Sequence, residues 1–237
     1  MNKKETIIRK IKRAIKQLLG KDVSYRLQIE CSSTFIGSDY GGWDICPTSI
    51  NSSSIIYSFG VGEDISFDLG LIEKYGVQVL AFDPSPKSID WVKDQDTPKE
   101  FQLYEYGIAD YDGEAEFFPP DNPDHVSHTM LKKNTKASVG IGVNVKRLNT
   151  IMKELGHSKI DIFKMDIEGA EYAVIDDILD SNVQISQILV EFHHRFKNVG
   201  ISKTKTAVSN LNNHGYKIFA ISSSGEEYSF IKANTNP

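Results

Sequence analysis

The feature that most constrains the fold is an alternation of short apolar runs with amphipathic helical segments, which starts at residue 55. Helical patterns separate most of the strand-like runs, which lie at 55–59, 77–82, 101–106, 160–165 and 185–192. Two strands that are joined by a helical crossover run parallel in one sheet. The sequence therefore predicts a doubly wound, mainly parallel, Rossmann-like α/β sheet.

The last two predicted strands, 216–221 and 228–231, require a different connection. Only residues 222–227 separate them, and this segment is too short for a helical crossover. We therefore expect the pair to be antiparallel, so that a reversed strand lies at the end of the sheet.

The N-terminal region differs in charge and pattern from the rest of the chain. Residues 3–19 show an amphipathic helical pattern, with basic side chains opposite an apolar stripe. The stripe contains Ile7, Ile11, Ile15 and Leu18. Residues 1–21 carry eight basic side chains and one acidic side chain, although the whole chain has a formal charge of −5. We therefore divide the chain into a basic N-terminal helix, 1–21, and a single acidic domain, 22–237. We expect the helix to dock on this domain, in a monomer or a homodimer, rather than on an anionic membrane surface.

Charge and composition also exclude several classes of partner. An acidic domain is a poor general nucleic-acid binder, because phosphate contacts require concentrated Lys and Arg. Cys31 and Cys46 form no Cys-x-x-Cys pair of the metal-binding type. No apolar run reaches the length of a signal-peptide core or of a membrane span. We therefore expect no nucleic-acid partner, no integral membrane contact, two reduced thiols or one chance pair rather than a disulfide framework, and a cytoplasmic location.

A glycine turn follows the first strand directly. Gly60 and Gly62 allow the backbone to turn sharply and to approach a ligand closely. Asp83 follows the second strand, 21 residues after Gly62, where a carboxylate can accept hydrogen bonds from both hydroxyls of a ribose. Parallel sheets bind ligands at the carboxyl ends of their strands. We therefore assign these three residues to a nucleotide cofactor, together with Asp110 in the turn after the third strand and Asp166 after the fourth strand.

The residues of the turn favour S-adenosylmethionine over a dinucleotide. Ile65 stands where a dinucleotide fingerprint has its third glycine. Glu63 and Asp64 would repel a pyrophosphate at the helix N-terminus, but they suit the sulfonium and ammonium groups of S-adenosylmethionine. Two alternatives stay open: a turn capped by Asp64 that binds no ligand, and a nicotinamide-dependent oxidoreductase on a similar fold.

Acidic and histidine side chains follow the fourth and fifth strands. Asp166, Glu168 and Glu171 lie where the fourth strand ends and a helix begins, and Glu191 and His193 end the fifth strand. Glu168 and Glu171 could simply complement the helix dipole. Because both strands end at one sheet edge, we expect a catalytic centre with Asp166 as the general base, or else Glu191 or His193. Mg²⁺ held by Asp166 and Glu191 is an alternative, and we assign no other metal site.

The long polar segment 119–142 is predicted to be a loop that covers the site and selects the substrate. Its His125 and Ser127, together with Glu168, would suit a polyhydroxylated small molecule or a glycan. The alternative is an ordinary exposed loop.

Three segments carry a resemblance to a known family. Residues 55–86, with Gly60-Val61-Gly62 and Phe82-Asp83-Pro84-Ser85, resemble the cofactor half of the FkbM-type methyltransferases. Lys164-Met165-Asp166-Ile167-Glu168-Gly169-Ala170-Glu171 is similar to the family signature Lys-x-Asp-x-Glu-Gly-x-Glu, and Tyr40-Gly41-Gly42-Trp43 resembles an upstream segment of some members. The likeness spans about residues 40–232.

The resemblance implies a class I S-adenosylmethionine-dependent methyltransferase that generally methylates oxygen. One departure is Phe59, which stands where many class I enzymes have an acid. Glu63 or Asp64 would then hold the methionine amine. A cofactor-binding module without catalysis is the alternative outside enzymes.

Overall fold

The structure is a computed structural model that describes residues 15–20, 22–118, 140–196 and 198–233. His125, Ser127 and most of the predicted N-terminal helix lie outside these residues. Residues 15–18 are helical, and Leu18 is 88% exposed. Its side chain therefore does not dock on the described part of the domain, and the division of the chain at residue 21 stays a prediction.

The described elements alternate in the order that the sequence predicts from residue 55 onward. The strands are β1 (Thr34–Ile36), β2 (Trp43–Ile45), β3 (Ile55–Phe59), β4 (Gln78–Phe82), β5 (Phe101–Tyr104), β6 (Gly107–Ile108), β7 (Gly113–Phe117), β8 (Ile141–Lys146), β9 (Ile160–Met165), β10 (Ile185–Glu191), β11 (Tyr216–Ile221) and β12 (Glu227–Lys232). The helices are α1 (Ser66–Tyr75), α2 (Pro86–Lys93), α3 (Leu148–Leu155), α4 (Glu171–Asp180) and α5 (Ile201–Asn213), with a 3₁₀ turn at Pro47–Ser49. Gly76 and Gly156 end α1 and α3 in the left-handed conformation, as expected of glycine at a helix C-terminus.

Seven strands form the central sheet, in the order β11-β12-β10-β9-β3-β4-β5. The five strands from β10 to β5 are parallel to their neighbours, whereas β12 is antiparallel to both β10 and β11. The doubly wound sheet is confirmed, and its reversed strand is the second from the edge. The strand order reverses at β3, between β4 and β9, so the carboxyl ends of these strands border the crevice where such sheets bind ligands.

Side chains of the central strands alternate between two apolar layers, because successive strand residues point to opposite faces. Phe59 and Phe82 belong to one layer, with ring centroids 4.3 Å apart, and Ile56 and Ile162 belong to the other. Phe59 thus packs in the core at the position where the family resemblance shows a departure.

A second sheet, β6-β8-β7, carries part of the segment between β5 and α3. Residues 119–142 were expected to form a loop, but β8 begins at Ile141. Ile141, Val143 and Val145 alternate as in a strand, but Gly142 and Asn144 between them belong to residue types that are depleted in strands, so the pattern was interpreted as loop. Ala109, Ala115, Val143 and Val145 form a small apolar cluster at this sheet, whereas Ile108 of β6 packs in the main core.

Of the two alternatives for the cysteines, the single pair is correct and the reduced thiols are wrong, because Cys31 and Cys46 form a disulfide with a Cα–Cα distance of 6.0 Å. The antiparallel pairing of β1 with β2, which sets Thr34 opposite Ile45, brings the two flanking cysteines together. Disulfides are rare in cytosolic proteins. The disulfide therefore argues against the predicted cytoplasmic location. The location itself stays a prediction.

Among the described residues, no helix combines the length and the apolar composition that crossing a bilayer requires.

Candidate functional site

Asp83 organises the glycine turn. Its Oδ2 accepts hydrogen bonds from the backbone N–H groups of Val61 and Gly62, both at 3.0 Å, and its Oδ1 accepts one from Ser85 at 2.8 Å. Gly60 and Gly62 have φ of 75° and 59°, which glycine adopts at little cost. One nearly buried carboxylate thus joins the turn after β3 to the end of β4.

Gly60 lies against the end of β9. A Cβ atom at this position would come 1.7 Å from the carbonyl oxygen of Asp166, so the close approach that requires glycine is to the chain itself. Lys164 reinforces this crossing, because its Nζ donates to the carbonyl oxygens of Gly60 at 2.6 Å and Phe59 at 3.3 Å. The two sequence motifs are therefore in direct contact.

A cavity opens at the carboxyl ends of β3, β4 and β9. It is lined by Phe59, Gly60, Gly62, Phe82, Asp83, Pro84, Ser85, Ser88, Gly107, Ile108, Phe117, Asp166, Ile167, Glu168 and Ala170. The predicted site residues that line the cavity are Gly60, Gly62, Asp83, Asp166 and Glu168. The predicted residues Glu63 and Asp110 do not line it. Glu63 is exposed and pairs with Lys87 at 3.6 Å, and Asp110 lies in the exposed turn between β6 and β7.

Beside this cavity, the predicted acidic residues surround His193. Nδ1 of His193 lies 2.7 Å from Oε1 of Glu171, which is 0% exposed and also accepts a hydrogen bond from the backbone N–H of Gly169. Nε2 lies 3.6 Å from Oδ1 of Asp166 and 3.5 Å from Oε2 of Glu168. We call these four residues, His193, Glu171, Asp166 and Glu168, the carboxylate–histidine cluster.

Charges around the cluster shift two pKa values. Burial alone would lower the pKa of His193, but the charges of Glu171, Asp166 and Glu168 outweigh burial and raise this pKa well above its ordinary value. Burial and the nearby charge of Asp166 raise the pKa of Glu191 to about 9. Without a bound cation, these charges favour the protonated form of both side chains.

Glu168 adopts a left-handed backbone conformation with φ of 55°. This conformation is costly for a residue other than glycine and is common at functional sites. It turns the chain so that the Glu168 side chain reaches His193, while Glu168 also borders the cavity.

The neighbouring His194 has a different environment. Its Nε2 lies 2.6 Å from Oδ1 of Asp22, whose Oδ2 accepts a hydrogen bond from Arg195 at 2.9 Å. Only one of the two histidines enters the cluster, as expected for adjacent residues at the end of a strand.

A loop between β1 and β2 was not assigned to the site from the sequence, although Tyr40-Gly41-Gly42-Trp43 marked it. Ser38 Oγ donates to Oδ2 of Asp64 at 2.6 Å and accepts from the backbone N–H of Gly41 at 2.9 Å. The loop is thus fixed to the glycine turn. Tyr40 is 87% exposed, yet partial desolvation and the charges of Asp166, Glu191, Glu168 and Asp64 raise its pKa.

Comparison with known proteins agrees with the motifs. The family model of the Methyltransferase FkbM domain matches residues 57–218. The probable methyltransferase-like protein 24 of Homo sapiens is 27% identical over 161 residues, which are 67% of this chain and 37% of the relative. The Rattus norvegicus protein of that name is 26% identical over 156 residues, which are 65% of this chain and 36% of the relative. The chain thus spans little more than a third of the length of these relatives.

Solved structures show weaker likeness. The methyltransferase FkbM of Methylobacillus flagellatus has a TM-score of 0.46 at 13% identity, over 77% of this chain and 44% of that one. The fibrillarin of Aeropyrum pernix, solved with S-adenosylmethionine, has a TM-score of 0.44 at 6% identity, over 89% of this chain and 85% of that one. The family match covers more than half of the residues and includes both sequence motifs, so the chain belongs to the family of Methyltransferase FkbM domain proteins.

Proposed function

We propose that this domain transfers a methyl group from S-adenosylmethionine to a hydroxyl group of a small molecule or glycan. The observation that carries the proposal is the cavity where the strand order reverses, which has the glycine turn and Asp83 on one side and Asp166 and Glu168 on the other. A cofactor bound there would lie directly beside the carboxylate–histidine cluster.

The residues that line the cavity fit this cofactor. Phe82, Ile108 and Phe117 supply apolar surface for an adenine ring, and Asp166 and Glu168 supply carboxylates for its positive groups. Asp83 would hold the ribose, although it already accepts three backbone hydrogen bonds. A carboxylate has about four acceptor positions, so we propose that Asp83 accepts from one ribose hydroxyl rather than from both.

Asp166 is the proposed general base. When bound, S-adenosylmethionine supplies an electrophilic methyl group, and the protein must align the acceptor and remove its proton. The Asp166 side chain borders the cavity and is 33% exposed, so an acceptor hydroxyl can reach it. Because Glu191 has a raised pKa and Nδ1 of His193 is held by Glu171, we propose that these two residues position Asp166 rather than act as the base. A protonated Glu191 is also a poor Mg²⁺ ligand, so we do not assign Mg²⁺ to the Asp166–Glu191 pair.

Tyr40 is proposed to contact the acceptor. Its exposed ring is held on a fixed loop, within the influence of the Asp166 and Glu168 charges. An aromatic face with a hydroxyl at its edge is suited to packing against a sugar ring.

Calorimetric titration with S-adenosylmethionine, and with NAD as the rival cofactor, tests the cofactor assignment. Asp83→Asn should weaken S-adenosylmethionine binding by about 1.5–3 kcal/mol, because hydrogen bonds to a charged group are lost. Asp94→Asn, at an exposed position after α2, is the matched control and should leave the affinity unchanged. Binding of NAD but not of S-adenosylmethionine would refute the proposal.

Methyl transfer from labelled cofactor to a panel of polyols, glycans and amines tests the acceptor class. Asp166→Asn should lower kcat by about 10²–10⁴-fold, the usual contribution of a general base, which is a larger effect than the weakening of cofactor binding by the loss of one of the two carboxylates at the cavity. A loss that appears mainly in cofactor binding would show that Asp166 has another role.

A further inference from the structure

We infer that the carboxylate–histidine cluster binds a divalent transition-metal ion of the Zn²⁺ type. The ligands are Nε2 of His193, Oδ1 of Asp166 and Oε2 of Glu168, and a fourth position is left for an oxygen of the acceptor. The role of the fourth position rests on the proposed function, whereas the metal site itself does not. This ligand set differs from the Asp166–Glu191 pair that the sequence suggested for Mg²⁺.

The distances from His193 to the two proposed carboxylate ligands are those of a metal site. Nε2 of His193 lies 3.6 Å from Asp166 Oδ1 and 3.5 Å from Glu168 Oε2. Both distances exceed the roughly 2.7–2.9 Å of a charge-assisted N–H···O hydrogen bond. Two ligands that bind one tetrahedral ion at about 2.0–2.1 Å lie about 3.3–3.4 Å apart. The separations therefore match ligands around a shared ion better than hydrogen-bonded partners.

One buried oxygen of the cluster lacks a hydrogen-bond partner, and a second has only a long contact. Glu171 Oε2 has no hydrogen bond within the described parts of the chain, and Asp166 Oδ1 has no hydrogen bond there but lies 3.6 Å from Nε2 of His193, while the Asp166 side chain also pairs with Glu191. Glu171 is 0% exposed, and it offers a ligand atom within 4.8 Å of those of Asp166 and His193. Buried carboxylate oxygens are costly when no donor or cation satisfies them. A bound cation in the cluster would remove this cost.

The orientation of the imidazole also suits a metal ligand. A histidine that binds a metal usually donates its other ring N–H to a carboxylate, which fixes the tautomer and the ring plane. Glu171 Oε1 lies 2.7 Å from Nδ1 of His193, and the backbone N–H of Gly169 holds the same oxygen at 3.0 Å. Glu171 is therefore a positioning residue that presents Nε2 as a ligand.

The donor set indicates the class of metal. Mg²⁺ prefers oxygen ligands in octahedral geometry, whereas imidazole with two carboxylates suits Zn²⁺ and its neighbours in the first transition row. Asp166 and Glu168 also line the cofactor cavity. An ion between them and His193 would lie at the border of this cavity, where its open position faces the proposed acceptor.

Calorimetric titration of the metal-free full chain with Zn²⁺ alone tests the site. We expect one equivalent to bind, and Co²⁺ in its place to show the intense visible absorption of a tetrahedral site. Glu171→Gln should weaken Zn²⁺ binding by about 10–100-fold, as expected for a positioning partner, and His193→Gln should weaken it further. The control is His214→Gln, because His214 lies exposed at the end of α5 with Nδ1 near the carbonyl oxygen of Asn210. This control should bind Zn²⁺ like the wild type.

Circular dichroism and thermal melting establish that each variant is folded, and Asp166→Asn replaces His193→Gln if that variant does not fold. Absence of Zn²⁺ binding to the wild type, or equal affinity in His193→Gln or in its Asp166→Asn replacement, would overturn the inference. Titration with S-adenosylmethionine separates the two proposals. Cofactor binding without Zn²⁺ binding would refute the metal site alone, and Zn²⁺ binding without cofactor binding would refute the proposed function alone.

Discussion

Replacement of Gly60 by alanine tests the contact that joins the two halves of the site. A Cβ at Gly60 would lie 1.7 Å from the carbonyl oxygen of Asp166, whereas real Cβ contacts stay beyond 3.0 Å. The backbone at Gly60 and the backbone at Asp166 would have to move apart by at least the difference between these two distances. That movement would break the Asp166 N–H bond to the carbonyl oxygen of Phe59 at 3.1 Å and the Lys164 bond to Gly60 at 2.6 Å.

The expected loss of stability is the sum of these broken bonds and a backbone cost. A neutral hydrogen bond contributes about 0.5–1.5 kcal/mol and one from a charged group about 1.5–3 kcal/mol, so the displacement should cost about 2–4 kcal/mol. The left-handed conformation of Gly60 adds about 1–2 kcal/mol for any L-residue. Gly156→Ala isolates that second cost, because Gly156 has a φ of 72° and a Cβ added there would meet no described atom within 4 Å.

Urea unfolding followed by the fluorescence of Trp43 and Trp91 measures the difference between the variants. We expect Gly60→Ala to lose about 2–4 kcal/mol more free energy of unfolding than Gly156→Ala. Equal destabilisation of the two variants, to within about 1 kcal/mol, would refute the steric argument. If Gly60→Ala were as stable as the control but bound no cofactor, Gly60 would instead serve the ligand, as the sequence alone suggested.

Three further predictions concern the disulfide, a buried acid and the acceptor loop. Replacing both Cys31 and Cys46 by serine should lower the free energy of unfolding by about 3 kcal/mol, given a separation of 15 residues; an unchanged urea midpoint would contradict this. Burial raises the pKa of Asp68 from 3.8 to about 6, so the folded state holds this proton more tightly. Stability should therefore fall by on the order of 2 kcal/mol as pH rises through that window, and Asp68→Asn should lack this decline in urea unfolding at pH 4–6.5. Tyr40→Ala should raise the KM of the acceptor several-fold and leave the Kd of S-adenosylmethionine unchanged. Tyr40→Phe should keep a KM close to that of the wild type. An altered cofactor Kd in Tyr40→Ala would indicate that the ring contacts the cofactor and not the acceptor.

Much of the central sheet could be predicted because its strands are strongly apolar and are separated by helical patterns. The same topology explains why Asp83, Asp166 and His193 could be placed at one edge from sequence alone. Parallel strands bring their carboxyl ends together, so residues that follow β4, β9 and β10 converge although they are far apart in the chain.

The parts that could not be predicted depend on short or polar strands and on individual side-chain directions. β1 and β2 are three residues each, too short for a clear alternation, so the sequence alone does not decide the disulfide that their pairing allows. The bond between His193 and Glu171 depends on the turn after β10 and on the buried rotamer of Glu171. Neither is encoded in a periodic pattern, because periodicity reports which face is buried and not which atoms meet.

The sign of the charge around the cavity separates the two cofactors that a glycine turn on such a sheet could bind. Asp166 and Glu168 line the cavity, and the Lys164 ammonium, instead of facing them, donates to the carbonyl oxygens of Phe59 and Gly60. Two charges about 5 Å apart near a protein surface interact by about 3 kcal/mol. Each such contact would favour a sulfonium or ammonium group and would oppose a pyrophosphate by a similar amount. The carboxylates at the cavity therefore favour S-adenosylmethionine over NAD, and this argument is independent of the residue at the third glycine position. The same excess of negative charge would stabilise a divalent cation beside His193.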